Sequence, residues 1–260
     1  MLEIKKIVLI GAGNLATHLA VAIKHSGKEI IQIYSRSIDS AKILANLVQT
    51  DYCTDLSKIT DKADLYIIAV KDDVLTEIVR TLVIKNKLVV HTSGSVTMNI
   101  LEQCSTNFGV FYPLLTFSKD HDLNFSKIPL CIEANTNHNL ELLKHLTLSL
   151  TDKFFFINSE QRKILHLAAV FAGNFPNFMY SIAETLVKDN NMDFDLLKPL
   201  ILETAEKVQT VKPLQAQTGP AIREDHKIME MHLDLLEKYP EYKDLYLIIS
   251  NEILRRKKND

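Results

Sequence analysis

The sequence has few cysteines, no excess of charge of either sign and no long apolar run. Its three cysteines, Cys53, Cys104 and Cys131, lie far apart and form no C-x-x-C pair, so neither a disulfide framework nor a thiolate metal site is predicted. The 30 basic and 32 acidic residues give a formal net charge of −2, which provides no basic face for nucleic acid. No run of about 18 apolar residues is present, as a membrane-spanning helix requires.

These absences favour a soluble protein whose partner is a small molecule, with neither nucleic acid nor membrane as a partner. No basic segment followed by an apolar one begins the sequence, so a cytoplasmic location with reduced, buried cysteines is expected. The chain has 260 residues, 47 % of them hydrophobic. This length and composition suit one large domain or two moderate ones, each with an apolar core.

The first motif is a short apolar run, residues 7–10, that ends at Gly11-Ala12-Gly13-Asn14-Leu15-Ala16. A β-branched run, a glycine turn and a helical pattern indicate a strand, a tight turn and a helix. Gly11 allows the sharp turn, Gly13 lets a pyrophosphate approach the backbone, and the helix start attracts the anion. Phosphate binding is therefore predicted for Gly11, Ala12, Gly13, Asn14 and Leu15. A strand-to-helix turn without a ligand is the alternative.

The second predicted strand, residues 29–34, ends at Ser35-Arg36-Ser37. An acidic residue at this position of the fold would bind the ribose 2′-hydroxyl of NAD, whereas an arginine beside hydroxyls suits the 2′-phosphate of NADP. The acid is absent, so Ser35, Arg36 and Ser37 predict a preference for NADP. The alternative is that these residues only cap the next helix, predicted over residues 39–48.

Two further apolar strands, predicted over residues 63–70 and 87–90, also end in polar clusters. Short apolar strands that alternate with helices indicate a parallel sheet covered on both faces, and ligands bind outside the carboxyl ends of such strands. Two more strands, over residues 129–133 and 154–158, extend the sheet. We expect the nicotinamide half of the cofactor to be lined by Ala69, Val70, Lys71, His91, Thr92, Ser93 and Gly94.

No strand pattern returns beyond Ser159. Apolar residues at helical spacing occupy residues 160–188, 195–211, 225–237 and 242–255. The predicted fold class is therefore α/β: a Rossmann-type, mostly parallel sheet over residues 1–158, followed by an all-helical substrate domain over residues 159–260.

The first helical stretch carries His166, Gly173 and Asn177 at i, i+7 and i+11. At 3.6 residues per turn these positions lie nearly in line on one face. Pro176 has no N–H to bond the carbonyl of Ala172, so a kink is expected there. A kinked helix with amides on one face is predicted to hold the substrate. The alternative is a buried helix whose histidine belongs to the core.

Catalytic roles follow from side-chain chemistry. His166 or His91 is the candidate proton donor, because an imidazole can titrate near neutral pH. Asn174 and Asn177 would orient the hydride acceptor. Arg223, which follows the turn Thr218-Gly219-Pro220, suits a substrate carboxylate. Alternatively, it pairs with one of the two acidic residues that follow it.

With these motifs in view, the chain resembles a family of NADP-dependent oxidoreductases that is related to pyrroline-5-carboxylate reductase. The resemblance covers nearly the whole chain and rests on residues 11–16, 35–37, 91–96, 109–114, 165–169 and 216–221. It implies a Rossmann-like first half, hydride transfer between the nicotinamide and a small carbonyl or imine compound, and a homodimer through the helical half. Thr218-Gly219-Pro220 would then reach the partner's site.

The chain departs from the better-known reductases at Gly173-Asn174-Phe175-Pro176. Asn174 replaces a serine, and Phe175 replaces a glycine that leaves room for a small ring, which argues against pyrroline carboxylate as the substrate. Two other functions stay open at this point. One is an NADP-binding sensor or assembly protein without turnover, and the other is a Rossmann-like domain without a nucleotide.

Overall fold

The structure, a computed structural model, describes residues 3–118 and 123–257. The chain divides into two compact units, Met1–Asn174 and Phe175–Asp260, which we call the sheet unit and the helical unit.

The described part of the sheet unit contains eight strands in one sheet, in the order β3-β2-β1-β4-β5-β6-β7-β8. Neighbouring strands are parallel except for β6 and β7. The first six follow the order of the dinucleotide-binding Rossmann fold, so the predicted fold class is confirmed. The strands are β1 (Lys6–Ile10), β2 (Glu29–Tyr34), β3 (Asp51–Cys53), β4 (Leu65–Ile68), β5 (Leu88–His91), β6 (Asn107–Pro113), β7 (Leu130–Ala134) and β8 (Phe154–Phe156).

Helices cover both faces of the sheet and make up the second unit. The sheet unit contains α1 (Asn14–His25), α2 (Ile38–Val48), α3 (Asp72–Thr81), α4 (Asn137–Leu148) and α5 (Ser159–Ala169). The helical unit contains α6 (Phe175–Lys188), α7 (Lys198–Lys207), α8 (Pro213–Ala216), α9 (Pro220–Arg223), α10 (His226–Leu235) and α11 (Pro240–Lys257). Among the described residues after β8 no strand occurs, as the sequence predicted.

Strand β1 shows why the sheet forms where it does. Its residues Ile7 and Leu9 pack into the core on one face of the sheet, and Val8 and Ile10 pack into the core on the other. Successive side chains of a strand point to opposite faces, so an uninterrupted apolar run suits a strand that is buried on both sides.

The boundary between the two compact units follows Asn174, whereas the sequence predicted a domain boundary after residue 158. Helix α5 belongs to the sheet unit, where the side chain of Arg162 is completely buried and bound to Glu133 of β7. The sequence also gave no sign of β3. This strand has only three residues and includes the polar Asp51, so it has no periodic pattern to detect.

The three cysteines contribute to packing. Cys53, Cys104 and Cys131 are buried and unpaired, and burial raises the pKa of Cys104 and of Cys131 to about 11, so their thiols stay protonated at neutral pH. In the ranges that the structure describes, no group of ligating side chains could hold a metal ion. No helix there has both the length and the apolar character needed to cross a bilayer.

Candidate active site

A cavity of about 800 Å³ lies in the sheet unit, where β1, β2, β4, β5 and β6 end. All but one of the residues that the sequence assigned to the cofactor line it, and the exception is His91. The predicted residues that line it are Gly11, Ala12, Gly13, Asn14, Leu15, Ser35, Arg36, Ser37, Ala69, Val70, Lys71, Thr92, Ser93 and Gly94. With Tyr112 and Pro113 of β6, residues from five separate strand ends surround one space large enough for a cofactor-sized ligand.

Gly11 joins three strand ends at the base of the cavity. Its N–H donates to the carbonyl of Tyr34 at 2.8 Å, and a Cβ added to it would lie 2.1 Å from the carbonyl oxygen of Ala69. Its φ of +124° is also one that L side chains rarely adopt. Only glycine satisfies both conditions, so the first glycine of the motif is required by the fold itself.

Gly13 differs from Gly11 because nothing lies within 4 Å of the position of an added Cβ. It is the N-cap of α1, it provides no side-chain cap, and no acidic residue occupies the first turn. The first N–H groups of a helix lack partners within the helix and attract anions. The open approach at Gly13 therefore leaves room for a pyrophosphate, and phosphate binding there stays a prediction.

Asn14 uses its side chain for a contact within the protein. Its Nδ2 donates to the carbonyl of Phe117 at 2.9 Å, and one turn later His18 Nε2 lies 2.8 Å from the carbonyl oxygen of Ser118. Helix α1 thereby holds Phe117 and Ser118 beside the glycine turn. One donor of the Asn14 side-chain amide is thereby used within the protein.

Ser35, Arg36 and Ser37 follow β2 at the rim of the cavity. Ser37 is the N-cap of α2, and its hydroxyl accepts from the Ser40 N–H at 3.3 Å, while the Ser35 hydroxyl accepts from the Ser37 N–H at 3.3 Å. The capping function that the sequence left open is therefore present. Arg36 is exposed and lines the cavity, so its guanidinium is the cation at this position.

Residues 92–96, which we call the β5 loop, are fixed by hydrogen bonds. The Thr92 N–H donates to the carbonyl of Ile68 at 3.1 Å. The Ser93 hydroxyl accepts from the N–H groups of Ser95 and Val96 at 3.1 and 3.0 Å. The loop therefore presents a rigid backbone to the cavity rather than free hydroxyl groups.

His91 lies in the core, and the structure does not support its assignment as a proton donor or as a cavity residue. Its side chain is completely buried. Nδ1 accepts from the Ser93 N–H at 3.1 Å, so Nε2 is left to donate to the carbonyl of Thr97 at 3.3 Å. Burial, with a smaller effect of the nearby Arg162, lowers the pKa of His91 to about 4. The imidazole is therefore neutral and has both nitrogens occupied.

His166 does reach the cavity, and it is paired with a residue that the sequence interpretation missed. The hydroxyl of Tyr112, at the end of β6, lies 3.1 Å from Nδ1 of His166 in α5, and both residues line the cavity. Burial raises the pKa of Tyr112. The available signal for Tyr112 was its position, because it stands at the carboxyl end of an apolar segment, next to Pro113.

A buried arginine, Arg162, holds α5 against β7 and the β5 loop. Arg162 donates through Nη1 to Glu133 at 2.5 Å, through Nε to the carbonyl of Ser93 at 3.1 Å and through Nη2 to the carbonyl of Val96 at 2.6 Å. Both loop carbonyls are thereby satisfied by one side chain. The helix that carries His166 and the loop that lines the cavity are linked through Arg162.

Three other predicted residues do not line this cavity. Asn174 is exposed at the end of the sheet unit, and Asn177 and Arg223 are exposed in the helical unit. The predicted line from His166 to Asn177 assumed a continuous α-helix. Residues Val170–Asn174 instead form a π-helical turn, which interrupts the 3.6-residue spacing shortly before Pro176. The substrate roles of these three residues stay predictions.

Comparison with known proteins gives two matched regions and several similar structures. Residues 6–94 match the family described as NADP oxidoreductase coenzyme F420-dependent, and residues 128–253 match a domain of unknown function, DUF2520. The chain is 44 % identical to the putative NADP oxidoreductase BF3122 from Bacteroides fragilis, with a TM-score of 0.89 over 96 % of this chain and 98 % of that chain. A comparison with curated proteins gave no match.

Two more distant structures share the fold. One is a 1-pyrroline-5-carboxylate reductase from Streptococcus pyogenes, 16 % identical, with a TM-score of 0.63 over 98 % of each chain. The other is an imine reductase from Myxococcus stipitatus in complex with NADP⁺, 14 % identical, with a TM-score of 0.64 over 98 % of this chain and 93 % of that chain.

Proposed function

The chain belongs to the family of NADP oxidoreductases that includes the Bacteroides fragilis protein, and on this premise we propose that it is an NADP(H)-dependent enzyme. It transfers a hydride between the nicotinamide and a small carbonyl or imine compound. One observation carries the proposal: the glycine turn, Arg36 and the Tyr112–His166 pair all line the same cavity. A phosphate cradle and an ionisable pair are the two parts that such an enzyme needs.

NADP(H) fits the residues that line this cavity. The open approach at Gly13 admits the pyrophosphate, and Arg36, which follows β2, is the residue for the ribose 2′-phosphate. The nicotinamide half would bind at the end of the cavity that is lined by Thr92, Ser93 and Gly94. When bound, the cofactor supplies the hydride chemistry, which no protein side chain can provide.

The remaining chemistry belongs to the protein. His166 donates a proton to the oxygen or nitrogen of the acceptor as its carbon is reduced, and takes the proton back in the reverse direction. Pro113, Leu115 and Phe117 give the same cavity an apolar wall, which limits water near the reacting atoms. Arg223 would bind a substrate carboxylate, if the substrate has one.

The cofactor is tested by the fluorescence change of NADPH and of NADH on titration with the protein. Replacing Arg36→Ala should weaken NADPH binding by about 10- to 100-fold, the value of a charge-assisted hydrogen bond, with little effect on NADH. Arg80→Ala is the matched control, because Arg80 is exposed on α3 and does not line the cavity. An equal loss for NADH and NADPH would contradict the 2′-phosphate role.

Turnover is tested by NADPH oxidation with a panel of ketones, keto acids, imines and coenzyme F420, which is included because of the matched family. Oxidation by a panel member supports an enzyme, and His166→Gln should then lower kcat by at least about 100-fold. If NADPH binds tightly and no panel member oxidises it, the protein is a sensor or assembly protein that only holds the cofactor.

We also propose that the protein is a homodimer through the helical unit. Among the described residues of that unit, 175–257, only Ala221, Met229, Leu236 and Ser250 are buried. Large apolar side chains such as Leu196, Leu200 and Ile248 are more than half exposed. Exposed apolar surface of this extent is typical of a protein interface. A second copy of the chain is the partner that the resemblance implies.

A further inference from the structure

The hydroxyl of Tyr112 has one partner among the described residues, Nδ1 of His166 at 3.1 Å. The two rings meet edge to face, with their centroids 6.2 Å apart and an interplanar angle of 74°. A phenol keeps its proton at neutral pH, and burial raises the pKa of Tyr112 further. The hydroxyl therefore has a proton to donate, and because a phenol donates more strongly than its oxygen accepts, an unprotonated Nδ1 makes the stronger hydrogen bond with it.

The β5 loop forms the other side of the space that the imidazole occupies. A Cβ added to Gly94 would lie 2.7 Å from Nδ1 and 2.8 Å from Cγ of His166, so the ring packs directly against the glycine backbone. Arg162, about one turn before His166 in α5, binds the carbonyls of Ser93 and Val96 on either side of Gly94. The imidazole is thus held between Tyr112 and a loop that its own helix anchors.

We infer that Tyr112 is a positioning residue for the proposed reaction, because its hydroxyl fixes the neutral His166 as the Nε2–H tautomer. In a neutral histidine, the hydrogen bond made by one ring nitrogen determines whether the other nitrogen carries the proton. In the proposed reaction, Nε2 gives its proton to the acceptor while Nδ1 takes the hydroxyl proton of Tyr112, so His166 stays neutral and the Tyr112 oxygen regains a proton from solvent. The catalytic meaning of the tautomer rests on the proposed function, but the tautomer itself does not.

The tautomer can be measured without any substrate. We would record long-range ¹H–¹⁵N spectra of the full-length protein with ¹⁵N-labelled histidine. The signals of His166 are assigned as those that are missing from the spectrum of His166→Gln. In the wild type at pH 8, Nδ1 should have the shift of an unprotonated nitrogen that accepts a hydrogen bond. In Tyr112→Phe, the two nitrogens should move toward the averaged shifts of a free histidine, because nothing fixes the tautomer.

Tyr66→Phe is the matched control for this experiment. Tyr66 is a fully buried residue of β4 whose hydroxyl donates to the carbonyl of Thr60 at 2.8 Å, and it does not line the cavity. The Tyr66→Phe substitution removes a buried tyrosine hydroxyl from the same sheet, yet the ¹⁵N chemical shifts of His166 should stay as in the wild type. A change of equal size in both variants would show a general structural effect and overturn the inference.

A protonated Nδ1 in the wild type, or identical His166 spectra in the wild type and Tyr112→Phe, would also overturn the inference. If Tyr112→Phe does not fold, the wild-type spectrum and Gly94→Ala decide instead. The added methyl of Gly94→Ala should displace the ring from Tyr112 and release the tautomer. If NADPH does not bind while the tautomer is as expected, only the proposed function fails.

Once a substrate is found, kinetics distinguish positioning from direct catalysis. Tyr112→Phe should lower kcat by about 10- to 100-fold, within the usual contribution of a proton donor, and leave the KM for NADPH unchanged. In the His166→Gln background the same substitution should have no further effect, because Tyr112 acts only through His166. Additive losses in the double variant would contradict this mechanism.

Discussion

Arg162 and Glu133 form an ion pair in the interior of the sheet unit, with Nη1 2.5 Å from Oε2. The arginine side chain is completely buried, and the glutamate side chain is 13 % exposed. The pair joins α5 to β7, and the other nitrogens of the guanidinium bind the β5 loop. Three separate segments of the chain therefore depend on a single side chain.

We expect Arg162→Met to destabilise the sheet unit by about 3–5 kcal/mol, because it leaves Glu133 as an unpaired buried charge. The measurement is urea unfolding followed by circular dichroism. The double variant Arg162→Met with Glu133→Gln should recover part of this loss, because no unpaired charge remains. A single variant that loses less than about 1 kcal/mol, the value of an exposed ion pair, would contradict the importance given to this contact.

The two glycines of the first turn should respond differently to alanine. In Gly11→Ala, the methyl would meet the Ala69 carbonyl at a positive φ, so we expect a loss of at least about 2 kcal/mol of stability from backbone strain. In Gly13→Ala, the methyl meets no atom within 4 Å and stability should hardly change. NADPH affinity should nevertheless fall at least about tenfold, or 1.4 kcal/mol. Unaltered NADPH affinity in Gly13→Ala would refute the predicted approach of the pyrophosphate.

His91 should make stability depend on pH. The unfolded chain protonates His91 near pH 6.5, whereas burial lowers the folded pKa to about 4. Between these values the unfolded state binds more protons, so stability is fully present above pH 6.5 and falls as the pH drops toward 4. The loss amounts to about 3 kcal/mol. The effect is measured as the difference in unfolding free energy between the wild type and His91→Asn across this pH range. Parallel curves of unfolding free energy against pH for the two proteins would contradict it.

The glycine turn and the strand ends could be predicted from the sequence because their signals are local. The run Ile7–Ile10 is uninterrupted, and Gly11 and Gly13 follow it directly, so strand, turn and helix are specified within about a dozen residues. The parallel order of the sheet then brings distant strand ends to one edge. The predicted cofactor residues other than His91 therefore line the same cavity.

The Tyr112–His166 pair could not be predicted in the same way, because the two residues lie 54 positions apart and meet only through the packing of α5 on the sheet. Arg162 stands between Gln161 and Lys163, in a sequence that is typical of an exposed helix surface, yet it is completely buried. For His91, the sequence predicted a cavity residue and the structure shows a core residue. Its cluster is polar, but the residue belongs to the end of a fully buried strand.

Charged substitutions on the helical unit should dissociate the proposed homodimer. Leu196 and Leu200 are four positions apart and are 68 % and 62 % exposed, so replacing both by glutamate costs little within one chain but places charge in an apolar interface. Ile43→Glu with Leu47→Glu is the matched control, because these residues have the same spacing on α2 and are 67 % and 51 % exposed. In light scattering after gel filtration, the first pair should give monomers and the control should stay dimeric. A wild type that is monomeric at micromolar concentration would refute the dimer, and a dimer that withstands the first pair of substitutions would exclude this face as its interface.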